Sequence, residues 1–160
     1  MIVDNIKNCE DALDRLYNSG RFLFTLEYLT KEVGISPFDV FNDFGNAVDG
    51  NKMRLYDYAE KPYDFFSTKC EKEKLREKIL CDLLCCSASV QIPEVLKVQD
   101  TLYKKAKRHF AEKVNKNIKI AILYTENKIF AVDQSKPKNL YNRYEGEFYD
   151  IGELPLQDVN

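Results

Sequence analysis

Cys81 and Cys85 stand one helical turn apart, the spacing at which two thiolates can occupy two corners of a tetrahedral metal site. No second Cys or His pair at ligand spacing supplies the other corners, so no metal is expected. Five cysteines is an odd number, and three of them crowd at 81, 85 and 86 in an apolar run. Such thiols read as small core residues in a reducing compartment rather than as a disulfide framework. His109 is the only histidine, and it serves as a general base only if a nucleophile lies within hydrogen-bond reach. If the helices expected at 68–87 and 93–114 pack antiparallel, its neighbour is near Lys72, with Cys70 pointing off the apolar seam, and no Cys–His dyad results. Glu126-Asn127-Lys128 and the Asp133/Lys136 pair have the spacing of nuclease fragments, but the first falls on a hairpin tip and no further carboxylates converge on a metal. A nucleophile-elbow serine, a phosphate-cradling glycine loop and a metalloprotease helix are all missing from the sequence. No catalytic residue and no cofactor is therefore assigned.

Binding chemistry is better represented. From Pro93 to about Val114 the residues Val95, Val98, Leu102, Tyr103, Ala106, Phe110 and Val114 gather on one side of a helix, while Lys97, Lys104, Lys105, Lys107 and Arg108 fan over the other. Lys116 and Lys119 extend this cationic face toward the next element, where Tyr124 could add stacking. Residues 67–119 hold 13 of the 24 Lys and Arg but only 7 of the 26 Asp and Glu, so a basic middle third lies between acidic flanks. That segregation fits a polyanion or an acidic partner, and equally one part of the fold neutralising another.

A second candidate surface lies in the run Val33-Gly34-Ile35-Ser36-Pro37-Phe38-Asp39-Val40-Phe41. Gly34 suits the left-handed position that closes a helix, Ser36 can cap the next one, Pro37 fits its first turn and Asp39 can complete a capping box. With Leu29, Val33, Ile35 and Val40 turned inward, the outline is that of a DNA-reading helix-turn-helix. The would-be reading helix nevertheless carries Asp39 and Asp43, and no Lys or Arg occurs from Val33 to Asn51. A phosphate backbone would be repelled. Phe38 and Phe41 beside Asp39 and Asp43 suit a protein partner better, with Phe44 and most of this ring surface expected inside.

The elements that must position these residues form one domain spanning 1–160, with a helical corner at 4–44 and a hairpin-containing part at 118–151. Helices are expected at about 4–18, 21–33, 37–44, 68–87 (capped by Thr68 and Glu71) and 93–114. The stretch Ile79–Cys86 is apolar nearly all round, the pattern of a centrally buried helix. Residues 45–66, with a turn signal at Asp49-Gly50-Asn51, read as a hairpin or an ordered loop. Ile118–Tyr124 and Ile129–Val132 read as an antiparallel hairpin, a third strand is expected near 147–151, and the tail after Pro155 is expected to be loose. Tyr141, Tyr144, Phe148 and Tyr149 serve as a recognition edge or as an outer strand covering the helices. The fold class is α+β: about five helices with a small antiparallel β-sheet in the C-terminal third.

No apolar run approaches the roughly 18 residues needed to cross a bilayer, and Met1-Ile2-Val3-Asp4 lacks the basic start of a signal peptide, so a cytoplasmic location is expected. The function expected is non-enzymatic: an interaction or regulatory protein, such as an inhibitor, adaptor or immunity factor, acting on a protein partner. The alternative is a nucleic-acid binder using the basic face of helix 93–114, and the third class is an enzyme whose site the sequence does not display.

Overall fold

The computed structural model describes residues 2–48, 53–86 and 91–156 and has an α+β fold of six α-helices and a three-stranded antiparallel sheet. α1 (Ile2–Ala12) runs on as a π-helical stretch to Asn18, and Gly20, at φ +71°, turns the chain into α2 (Leu23–Glu27). A second π-helical stretch carries α2 to Glu32, and Gly34 at φ +88° closes it. α3 (Pro37–Ala47) then starts as its sequence dictates: the Ser36 hydroxyl accepts a hydrogen bond from the Asp39 amide, with Pro37 in the first turn. α1 packs against α3 across Gly45, where any side chain would overlap the backbone of Asn8.

Residues 45–66 depart from the expected hairpin or loop. They contain α4 (Leu55–Phe66), with Tyr58, Ala59, Pro62, Tyr63 and Phe66 buried at helical spacing. The rings decide this outcome: Phe44 lies among Tyr58, Phe65 and Phe66 at centroid distances of 5.6–5.9 Å, so burial of several aromatics outweighs the cost of a proline inside the helix. The Asp49-Gly50-Asn51 turn lies outside the described residues. α5 (Lys72–Leu84) begins later than position 68, because residues 67–70 form the turn that leaves α4 and Glu71 is the N-cap. Its burial is nearly complete from Leu75 to Leu84, as the all-round apolar pattern implies.

The expected helix over 93–114 is two elements. Pro93 opens only a 3-10 turn at Glu94–Leu96, residues 97–100 are not helical, and α6 (Thr101–Lys113) starts where the Asp100 carboxylate accepts the Tyr103 amide. The break has a cause. Leu96 is fully buried in the helical core, and its carbonyl accepts a hydrogen bond from Arg76 Nη1 at 3.0 Å where a continuous helix would bring the Asp100 amide.

β1 (Ile118–Leu123), β2 (Lys128–Asp133) and β3 (Gly146–Asp150) form a meander in the order β1-β2-β3, with Ile118 opposite Asp133 and Lys128 opposite Asp150. α5 and α6 do not pack on each other; they cover opposite faces of this sheet. Leu80, Cys81, Leu84 and Cys85 of α5 meet Ala121, Leu123, Phe130 and Val132, while Ala106 and Phe110 of α6 meet Ile118, Ile120, Ile122 and Ile129. Burial on both faces explains why β1 and β2 are apolar almost throughout. Gly146 is required beside them, since a Cβ there would overlap the Phe130 ring. Past Pro155, Leu156 still packs against the α6 side; residues from 157 lie outside the described part.

Candidate functional site

Lys97, Lys104, Lys105, Lys107 and Arg108 were expected to share one helical face, extended by Lys116 and Lys119 at the hairpin entrance, and the break before α6 divides them. Lys97, from the extended segment, Lys107, from α6, and Lys119, from β1, turn toward one cleft of about 200 Å³. Arg76 of α5 joins them, a residue that sequence reasoning missed. Lys104, Arg108 and Lys116 are exposed, as Lys107 is, but do not line this cleft, and Lys105 is half-buried on α6. Leu80 and Leu84 of α5 and Ile120 and Ile122 of β1 form the apolar part of the cleft, with Tyr103 at its α6 wall.

Each cation is held differently. Arg76, only 3% exposed, donates through Nε to Glu73 at 3.2 Å and through Nη1 to Leu96 O, with Nη2 3.7 Å from Glu77. Glu77 is buried in turn and accepts from the Thr125 hydroxyl and amide; burial pushes its carboxyl above the usual range against those bonds and Arg76. Lys97 pairs with Glu94 at 3.0 Å, a mostly solvated contact, and the Lys107 ammonium lies 5.9 Å from the Tyr103 ring centre. Asp100 sets the α6 wall: besides capping the helix it accepts a hydrogen bond from the Tyr124 hydroxyl, and these bonds hold its carboxyl below the usual range.

The cleft runs along an edge of the sheet. Gln134 N donates to Asn117 O, and with Ile118 opposite Asp133 this makes Lys119, Ala121 and Leu123 the residues that exchange hydrogen bonds with β2. Ile120 and Ile122 therefore turn their N–H and C=O groups outward, into the cleft.

In the N-terminal corner Asp39 and Asp43 are exposed, Phe38 is 67% exposed, Phe41 packs partly against the core, and Phe44 is fully buried. Ile6, Cys9, Leu13 and Phe38 line a shallow apolar groove between α1 and α3. His109 is half-buried with its ring edge-on to Phe110, and because α5 and α6 lie on opposite sides of the sheet, the expected approach toward Lys72 does not occur. Burial raises the thiols of Cys81, Cys85 and Cys86, the last to about 11, so at neutral pH these side chains are protonated and inert. Glu126 pairs with Lys78 at 3.0 Å, and Asp133 accepts from Asn115 and Ser135. Both nuclease-like fragments are thus turn and hairpin supports. Tyr141 is exposed, Phe148 lies against Phe24 and Phe130, and Tyr149 against Phe110, so most of the C-terminal aromatics cover the sheet.

The charged group that ties the helical layer to the sheet layer was also missed. Asp82, fully buried in α5, accepts from the Phe24 and Thr25 amides at 2.9 Å, from the Thr25 hydroxyl and from Arg143 Nη2, thereby capping α2 from outside. A lone carboxylate in an otherwise apolar run was the available signal.

Among the described residues no three His, Cys, Asp or Glu side chains converge as a metal set, and no helix is long and apolar enough to cross a membrane. No curated protein and no solved structure matches the chain. Residues 3–153 match one family model, and the chain belongs to that family, described as protein of unknown function (DUF4080).

Proposed function

We propose that the chain works without catalysis, as an interaction or regulatory protein, and that its binding face is the cleft at the edge of β1, which takes an acidic protein partner. The observation that carries this reading is convergence. Lys97, Lys107 and Lys119 come from three separate segments, and with buried Arg76 they face one cleft with an apolar lining. Cations that merely solubilise a helix would line no cleft, as is the case for the exposed Lys104 and Arg108. At about 200 Å³ the cleft is smaller than the ~300–1,000 Å³ typical of small-molecule sites, which favours a surface contact over an enclosed ligand. A cytoplasmic setting fits five cysteines that are all free thiols.

A nucleic-acid reading draws on Lys104, Arg108 and Lys116, which remain exposed on the α6 side. Fluorescence anisotropy separates the two. A labelled decaglutamate peptide is expected to bind and to resist displacement by oligothymidylate of equal length. Preferential binding of the oligothymidylate would overturn the protein-partner reading in favour of nucleic acid.

A further inference from the structure

We propose that the partner enters the cleft as an extended acidic segment and adds to β1 as a fourth strand. This rests on the reading that the cleft binds an acidic protein, and it specifies how.

Among the described residues no strand pairs with the outer side of β1, and there the N–H and C=O groups of Ile120 and Ile122, residues only 3–4% exposed, line the floor of the cleft. The segment 91–100 runs alongside but does not take up these groups. Leu96 N bonds to Pro93 O, Lys97 N to Glu94 O, and the Leu96 carbonyl to Arg76. Proteins normally blunt an open edge with a proline, a bulge or a charge. β1 has neither proline nor bulge, and its pairing with β2 is continuous from Ile118 to Leu123. Its only edge charge is Lys119, flanked by Lys97 and Lys107, and these cations disfavour a neutral or basic strand while attracting carboxylates. The outer edge at β3 is opposite in character, with Glu145, Glu147 and Asp150.

The walls also select a side-chain pattern. An added strand sends alternate side chains to opposite faces of the sheet. One set meets Leu80 and Leu84 of α5; the other meets Tyr103 and Lys107 of α6. Apolar residues alternating with carboxylates satisfy both walls, and main-chain pairing with Ile120 and Ile122 supplies the register.

The test uses two probes of equal charge: the peptide acetyl-(Glu-Val)3-amide and the same peptide N-methylated at alternate amides. Binding and residue-resolved amide exchange are measured by NMR on the full chain. The unmethylated peptide is expected to slow exchange at Ile120 and Ile122 at least tenfold while leaving the already paired Lys119 and Ala121 unchanged, and the methylated one to bind at least tenfold more weakly. Equal binding by both peptides, with Ile120 and Ile122 unprotected, would overturn strand addition while leaving the acid-binding reading intact. Binding by neither peptide would overturn both. Protection of Ile120 and Ile122 that grows with protein concentration in the absence of peptide would also overturn the proposal, since a second copy would then occupy the edge.

Discussion

Arg143 and Asp82 lie 61 positions apart in the chain and meet through a 3.1 Å hydrogen bond with both side chains buried. Arg143 Nη1 also donates to the Gly20 carbonyl, so the pair joins the turn before α2, the middle of α5 and the segment before β3. Removing Asp82 leaves a buried guanidinium without its counter-ion, and removing Arg143 leaves a buried carboxyl that has lost its cation. Asp82→Ala or Arg143→Met alone is expected to cost about 3–5 kcal/mol in chemical denaturation, and the double replacement less than the sum of the two. Additive losses would mean the two groups act independently.

The same carboxylate sets a pH dependence. Burial raises Asp82 from 3.8 to about 6, against the pull of Arg143 and the α2 amides. Between those values the folded chain holds a proton that the unfolded chain has released, so the stability linked to Asp82 is fully present below about pH 4 and is lost as pH rises through 6. The stability difference between the parent chain and Asp82→Asn should therefore move against the parent by ~3 kcal/mol at most between pH 4 and pH 7. A difference that stays flat, or moves the other way, would contradict this assignment.

Gly146 carries no side chain because the Phe130 ring occupies the space. Gly146→Ala is expected to lower stability by about 1–3 kcal/mol through overpacking, read as a fall in the urea midpoint at unchanged m-value. A neutral outcome would show that the ring can shift freely.

Asp100→Ala removes the cap of α6 and the partner of the Tyr124 hydroxyl. About 1 kcal/mol of stability should be lost. Affinity for decaglutamate should fall too, because α6 places Lys107 in the cleft; undiminished affinity with the expected destabilisation would separate Lys107 from the binding face.

How legible these features were in the sequence depended on whether the deciding interaction was local. Ser36-Pro37 starting α3, the hairpin of β1 and β2, and the buried half of α5 all follow from neighbours within a few residues. α4 does not: the Asp49-Gly50-Asn51 turn signal that precedes it and Pro62 within it argue against a helix, and only packing of Tyr58, Tyr63 and Phe66 in the core around Phe44 reverses them. The helix expected from Pro93 failed for a similar reason, since Leu96 is drawn into a core formed by residues far away in the chain. Asp100 was the local sign of the true start. In the cleft, Lys97, Lys107 and Lys119 could be named from charge spacing, but Arg76 could not, because its buried position depends on the Leu96 carbonyl and on Glu77. The open edge of β1 was likewise invisible, as strand order is a property of the whole sheet.

Charge reversal in the cleft tests the central claim most directly. The affinity of decaglutamate is measured for the parent chain, for Lys107→Glu with Lys119→Glu, and for Lys104→Glu with Arg108→Glu outside the cleft. Both pairs change the net charge equally, so only position distinguishes them. The cleft pair is expected to weaken binding about tenfold or more, and the outer pair by only a few-fold through the general field. Equal losses from the two pairs, or a larger loss from the outer pair, would contradict the assignment of the β1 cleft as the binding face.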